Sequence, residues 1–180
     1  MPAAPEGVLS FWREAGPKRW FAVDSAFDVE LRERFLAAHD AAAAGRLSAW
    51  EDSAEGALAL MIALDQFPRN MFRGTARAFS TDALALAATR RAIGHGFDLK
   101  TPMPERNFFY LPFEHSENLT DQERGVALSE ATGDAETVKW AKVHHDVIRR
   151  FGRFPHRNAA LGRVSTPGEI AFLEGGGFRA

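Results

Sequence analysis

Three short polar segments carry the residues with chemical reach in this 180-residue chain: Asp65-Gln66-Phe67-Pro68-Arg69-Asn70, His115-Ser116-Glu117 and Arg153-Phe154-Pro155-His156-Arg157-Asn158. Each sets arginine, histidine, asparagine or a carboxylate beside proline or aromatic residues. Such a composition is costly for a core, because buried charges need partners, and odd for a plain loop. It reads as a built polar pocket, suited to a negatively charged or carboxylate-bearing group.

Asp65 follows Leu58 and Met61 at helical spacing and so lies on their face. A carboxylate there is expected to be buried and to need a counter-charge. Arg69 is the nearest, with Pro68 bending the chain between them. Two roles stay open. The pair is a structural ion pair at a helix end, or Asp65 holds Arg69 while its guanidinium faces a ligand, a task that suits arginine's planar fork. Asn70 and Arg73 belong to the same candidate donor set.

Arg153, His156, Arg157 and Asn158 form the densest donor cluster. Two arginines and a histidine in one turn repel each other unless something negative sits among them. Asp65, Glu114, Glu117 or a ligand could supply it. A solvated basic turn is the plainer alternative, and Phe151 and Phe154 speak against it by anchoring the segment to the core. His115 beside Glu117 suits acid–base work near neutrality; helix capping by Ser116 or Glu117 is the alternative. Tyr110, in the proline-broken stretch before them, joins the candidate ligand-binding residues. His144 shares a helical stripe with Trp140, Val147, Ile148 and Phe151 and therefore points inward, as a core histidine or a member of the site. His115, Glu117 and His156 are the candidate catalytic residues.

His115, Glu117, His144 and His156 also offer metal-donor atoms. No His-x-x-x-His or His-Glu-x-x-His spacing occurs, however, and nearby arginines repel a cation, so no metal is expected. Neither a glycine-rich phosphate loop nor a Gly-x-Ser-x-Gly elbow is present, and no cofactor is expected.

Helical periodicity must position these groups. Pro5 opens a first helix burying Val8, Leu9, Phe11 and Trp12, ended by Gly16-Pro17. A second starts near Asp24 or Ser25 and runs to Gly45, with Phe27, Leu31, Phe35, Ala38 and Ala42 as its stripe. A third, from Ser53 through Leu64, is apolar on nearly every side and should be buried. Ser80-Thr81-Asp82 caps a fourth, stopped by Gly94-His95-Gly96. Pro104 opens a short aromatic fifth, Thr120 with Glu123 a sixth, and residues 134–151 make a seventh. Thr166-Pro167-Gly168-Glu169 has capping-box spacing and opens the last. Gly175-Gly176-Gly177 predicts a loose tail over 175–180. No alternating strand is legible, so the class is all-α, one domain over 1–180, with short connections favouring antiparallel helix pairs.

The hydrophobic share of 46% and charged share of 26% are those of an ordinary globular protein. A formal net charge of −2 gives no basic field for a nucleic acid backbone. Cysteine is absent, which removes disulfides and thiolate catalysis and suits a reducing compartment. The start, Met1-Pro2-Ala3-Ala4-Pro5, has no signal-peptide pattern, and no apolar run is long enough to span a bilayer. A cytoplasmic protein without membrane or nucleic acid partners is expected.

At the polar motifs the sequence resembles the bacterial domain-of-unknown-function family 924 over nearly its whole length. The resemblance rests on Val8-Leu9-Ser10-Phe11-Trp12, Leu64-Asp65-Gln66-Phe67-Pro68-Arg69-Asn70, Phe72-Arg73-Gly74-Thr75-Ala76, Pro112-Phe113-Glu114-His115-Ser116-Glu117 and Phe151-Gly152-Arg153-Phe154-Pro155-His156-Arg157-Asn158. Leu161-Gly162-Arg163 and Ser165-Thr166-Pro167 fit as well, although the familiar Ser-Thr-Pro-Glu-Glu reads Ser165-Thr166-Pro167-Gly168-Glu169 here. It implies helix pairs stacked in an arc like tetratricopeptide repeats, and brings no activity with it.

Three functions fit these observations. The first is a binding protein for a small anion or an acidic peptide. The second is a hydrolase or phosphoryl-handling enzyme using histidine as acid–base with arginine as stabiliser. The third is a structural protein whose polar motifs lock turns.

Overall fold

Helix start and stop signals become elements in the structure, a computed structural model that describes residues 4–179. The expectations for residues 1–3 and for Ala180 lie outside them. The fold is all-α, with no strand among the described residues. The single helical domain is built of two compact units. One takes in Arg77–Phe109 with the described residues up to Arg73; the other takes in Gly74–Ala76 with the described residues from Tyr110 on.

In the first unit, α1 (Pro5–Ala15) starts on its proline and buries the expected Val8, Leu9, Phe11 and Trp12. A single-turn α2 (Pro17–Trp20) follows, where only a helix stop was expected. Its Trp20 indole donates to the Trp12 carbonyl at 2.6 Å. The Asp24 carboxylate accepts the Phe27 N–H and caps α3 (Ser25–Ala43). Ser53 likewise caps α4 (Ala54–Met61), which is buried on all sides from Gly56 onward. A π turn, Ile62–Gln66, and α5 (Phe67–Met71) continue it. Then comes α6 (Asp82–Gly94). Phe11 stacks on Phe27 at 5.3 Å between centroids, and Trp12 meets Phe67 and Phe108 edge-on at 5.8 Å. These rings make the core of this unit.

The second unit contains α7 (Leu111–Glu114), α8 (Leu119–Glu130), α9 (Ala135–Phe151) and α10 (Pro167–Glu174). Asp134 caps α9, and Thr166 with Glu169 makes both halves of the expected capping box. Two expected starts differ. The carboxamide of Asn118, not Thr120, caps α8, accepting the N–H groups of Thr120 and Asp121. Thr81 precedes α6 without capping it, because its hydroxyl is bonded elsewhere.

The tail is docked, not loose. Gly177 N–H donates to the Phe172 carbonyl at 2.8 Å, and Phe178 packs against Val147, Ile148 and Phe154.

Candidate functional site

In the first unit the polar segment begins inside the π turn. Phe67 N–H donates five residues back, to the Ile62 carbonyl. The next N–H in that register would belong to residue 68, but Pro68 has none. Backbone acceptors are therefore released, and side chains take them up. His39 Nδ1 donates to the Ala63 carbonyl at 3.0 Å, Thr81 Oγ1 to Leu64 at 2.5 Å and Arg69 Nη1 to Asp65 at 2.7 Å. Wide turns of this kind recur at functional positions and need such compensation.

Asp65 is buried, with 1% of its surface exposed. Its carboxylate accepts Gln66 Nε2 at 2.6 Å and lies 3.3 Å from Arg69 Nη1. Arg69 forks onto Asp82 as well, at 2.9 and 3.1 Å. Burial opposes the Arg69 charge, but Asp65 and Asp82 outweigh it and raise the guanidinium pKa. Arg73 forks onto Asp28, which also accepts Asn70 Nδ2 at 2.9 Å. Arg69, Asn70 and Arg73 thus join Asp65, Asp82 and Asp28 in an ion-pair network of this unit, with Arg69 and Arg73 also donating to the Asp65 and Ala22 carbonyls.

In the second unit Gly152 ends α9 in the left-handed region, at φ 69°, which turns the chain into the 153–158 segment. That segment and the His115–Glu117 segment meet there. Glu117 accepts the Phe154 N–H at 2.8 Å and a fork from Arg163 at 2.7 and 3.0 Å. Partial burial raises its pKa, yet Arg163 and the Phe154 N–H outweigh this and hold the carboxyl below its ordinary range. Arg153 forks onto Glu169 at 2.6 and 2.8 Å. That bond, then the Thr166 N–H, pulls the Glu169 pKa down to about 2. Asn158 is buried, with Nδ2 on Ser165 Oγ at 3.0 Å. Arg157 is buried too, donating to the His115 carbonyl at 3.1 Å with its guanidinium 4.5 Å above the Phe154 ring. Ser116 caps no helix; its hydroxyl donates to Asp121 at 2.8 Å.

A histidine cluster sits beside these contacts. His144 Nδ1 donates to the Trp140 carbonyl at 2.8 Å and lies 3.5 Å from Glu114 Oε2. Its ring is 5.8 Å from His115, 5.9 Å from Phe154 and 4.4 Å from Phe178. His156 stacks between Phe154 and Phe178, at 5.5 Å from each. Burial above all, then the neighbouring charges of His115, Arg157 and His156, lowers the His144 pKa to about 3. His144 is therefore a neutral donor through Nδ1, with Nε2 left as an acceptor. Tyr110 is buried directly before α7, where its carbonyl accepts the Phe113 N–H at 3.0 Å. Trp140, expected on the inner stripe, is 43% exposed.

Sequence reasoning missed the carboxylate partners Asp28, Asp82 and Glu169, the orphan-carbonyl donors His39 and Thr81, and the ring of Phe178. His39 alone had a signal, lying one helical turn beyond Phe35 on the α3 stripe. A shallow groove elsewhere on α8 and α9 is lined by Glu123, Val126, Lys142, His145 and Asp146. Its mixed charges select no ligand class. No group of three or more His, Asp or Glu is placed to hold a metal ion among the described residues.

A family model described as a bacterial protein of unknown function (DUF924) matches residues 8–177. A solved structure of a protein of unknown function from Agrobacterium tumefaciens is 45% identical, with a TM-score of 0.92 over 95% of this chain and 97% of that one. None of the curated proteins matches the chain. The motifs, the fold and a family match over nearly the full length agree, and the chain belongs to the DUF924 family.

Proposed function

We propose that the protein binds a small anionic ligand, or an acidic peptide segment, at the histidine–arginine cluster of the second unit. One observation carries the reading: the Arg157 guanidinium, bonded to the His115 carbonyl and lying over Phe154, gathers with the rings of His115, His144 and His156 in one place. Such crowding favours an added negative group. Glu114 offsets part of it, and Glu117 and Glu169 are committed to Arg163 and Arg153. A cytoplasmic setting goes with this proposal, since the chain has no cysteine and no described helix is long and apolar enough to cross a membrane.

A hydrolytic reading is second. The bond from His144 Nδ1 to Trp140 leaves Nε2 as the base, but a pKa of about 3 makes it a weak one at neutral pH. That leaves the acid–base role to His115 or His156.

Calorimetry tests the proposal. Phosphate, sulfate, dicarboxylates and acidic peptides are titrated into the native protein, His156→Ala and Arg157→Lys. Binding should appear in the native protein, tighten as pH falls through the histidine range, weaken with salt and drop in both variants. No heat from any of these at millimolar concentration, or equal affinity in the variants, refutes the reading.

A further inference from the structure

We infer that residues 175–179 form a docked strap whose Phe178 ring plugs the histidine cluster, and that the cluster opens to a ligand by release of this strap. What enters depends on the anion-binding proposal; the strap stands on its own geometry. The Phe178 ring lies 4.4 Å from His144 and 5.5 Å from His156, edge-to-face on both, and 6.3 Å from Phe154. One ring therefore covers both histidines and the phenylalanine between them.

The glycines before it shape the docking. Gly176 adopts φ 77°, a left-handed backbone that side chains rarely take. A Cβ on Gly177 would fall 2.5 Å from the Phe172 carbonyl oxygen and 2.6 Å from that ring. The glycine run thus lets the chain pass flat over Phe172 and deliver Phe178 to the histidines. Besides the ring, the strap is held by backbone bonds from Gly175, Gly176 and Gly177 to the Ala171, Leu173 and Phe172 carbonyls and by Arg179 Nη2 on the Leu173 carbonyl at 2.7 Å. Gly175, Gly176 and Arg179 are exposed and the segment lies at the end of the described chain, so its release belongs with the low-energy local openings, and the glycine torsions absorb the movement. Phe154, fully buried beneath the docked ring, is the wall on which it packs.

Diethyl pyrocarbonate, which modifies neutral imidazole, reads the strap without any ligand. Site-resolved mass spectrometry follows His144 and His156 in the native protein, Phe178→Ala and Gly177→Ala, with circular dichroism and melting confirming that each is folded. Both variants should raise the modification rates of His144 and His156 several-fold while leaving His39, in the other unit, unchanged. Unchanged rates at His144 and His156 in both variants overturn the strap. Sulfate titrations on the same proteins separate the two ideas. Raised reactivity without sulfate binding to any of them supports the strap and removes the anion reading. Sulfate binding with unchanged reactivity does the reverse.

Discussion

Asp65 meets the demand of a buried carboxylate through Gln66 and Arg69, and Arg69 in turn is shared with Asp82. Removing Asp65 leaves a partly buried guanidinium with one counter-charge fewer. Asp65→Ala should cost roughly 3–5 kcal/mol in denaturant melts, the usual loss on breaking a buried pair, and a loss under about 1 kcal/mol would refute the pairing. The burial was legible, because helical phase behind Leu58 and Met61 allowed only one side. Asp82 was not, since nothing local marks a partner thirteen residues on. His144 gives a second prediction. Its folded pKa of about 3 lies below the ordinary 6.5, so the unfolded chain binds the extra proton between these values. Stability therefore falls as pH drops from 6.5 towards 3, by up to roughly 1.4 kcal/mol per pH unit from this group. Urea melts at pH 7 and pH 5 check this: His144→Gln should lose less stability than the native protein over that interval. Glu169 acts lower, since its depressed pKa withdraws stability only as pH falls below its ordinary 4.5 through about 2.

At the level of elements, the π turn and Pro68 explain why two distant side chains serve one helix. Thr81→Val removes the donor to the Leu64 carbonyl and should cost about 1–3 kcal/mol, as for a buried acceptor left unmet. In a Pro68→Ala background the restored N–H competes for the released carbonyls, so the same substitution should cost less. A double-mutant cycle measures the difference; strict additivity would detach Thr81 from the proline. The start of α8 is a second case. Thr120 and Glu123 have capping-box spacing, and so the sequence offered a plausible start two residues late. Asn118 holds the cap, so Asn118→Ala should cost about 1 kcal/mol and Thr120→Ala much less. Cap chemistry is readable from sequence, but the choice between neighbouring caps depends on where the preceding turn delivers the chain. The capping box at Thr166 had no such rival and was legible at once.

At the scale of the whole molecule, many cations of the described residues are paired with carboxylates. Exposed forks such as Arg13 with Glu105 and Arg91 with Glu51 accompany the buried pair at Asp65. Exposed pairs contribute little and are screened, whereas the pair at the buried Asp65 is screened much less. With a net charge of only −2, moderate sodium chloride should leave the melting temperature nearly unchanged. A steep salt dependence in scanning calorimetry would contradict this. The all-helical class was legible throughout because apolar stripes recur at three and four residues. The docked tail was not. Three successive glycines read as freedom, and only the Phe172 surface shows that their missing side chains permit close contact.

The π turn also divides one continuous helical path into two angular phases. Residues advance by about 100° around a regular helix, and the wide turn at Ile62–Gln66 holds back the residues after it. Excising a single residue there, Ala63 for instance, would let α4 run regularly into α5. The helix itself would improve while Arg69 and Asn70 swung away from Asp82 and Asp28. Such a deletion should retain the far-ultraviolet helical signal yet unfold at lower denaturant, separating helical regularity from the anchorage that its irregularity provides.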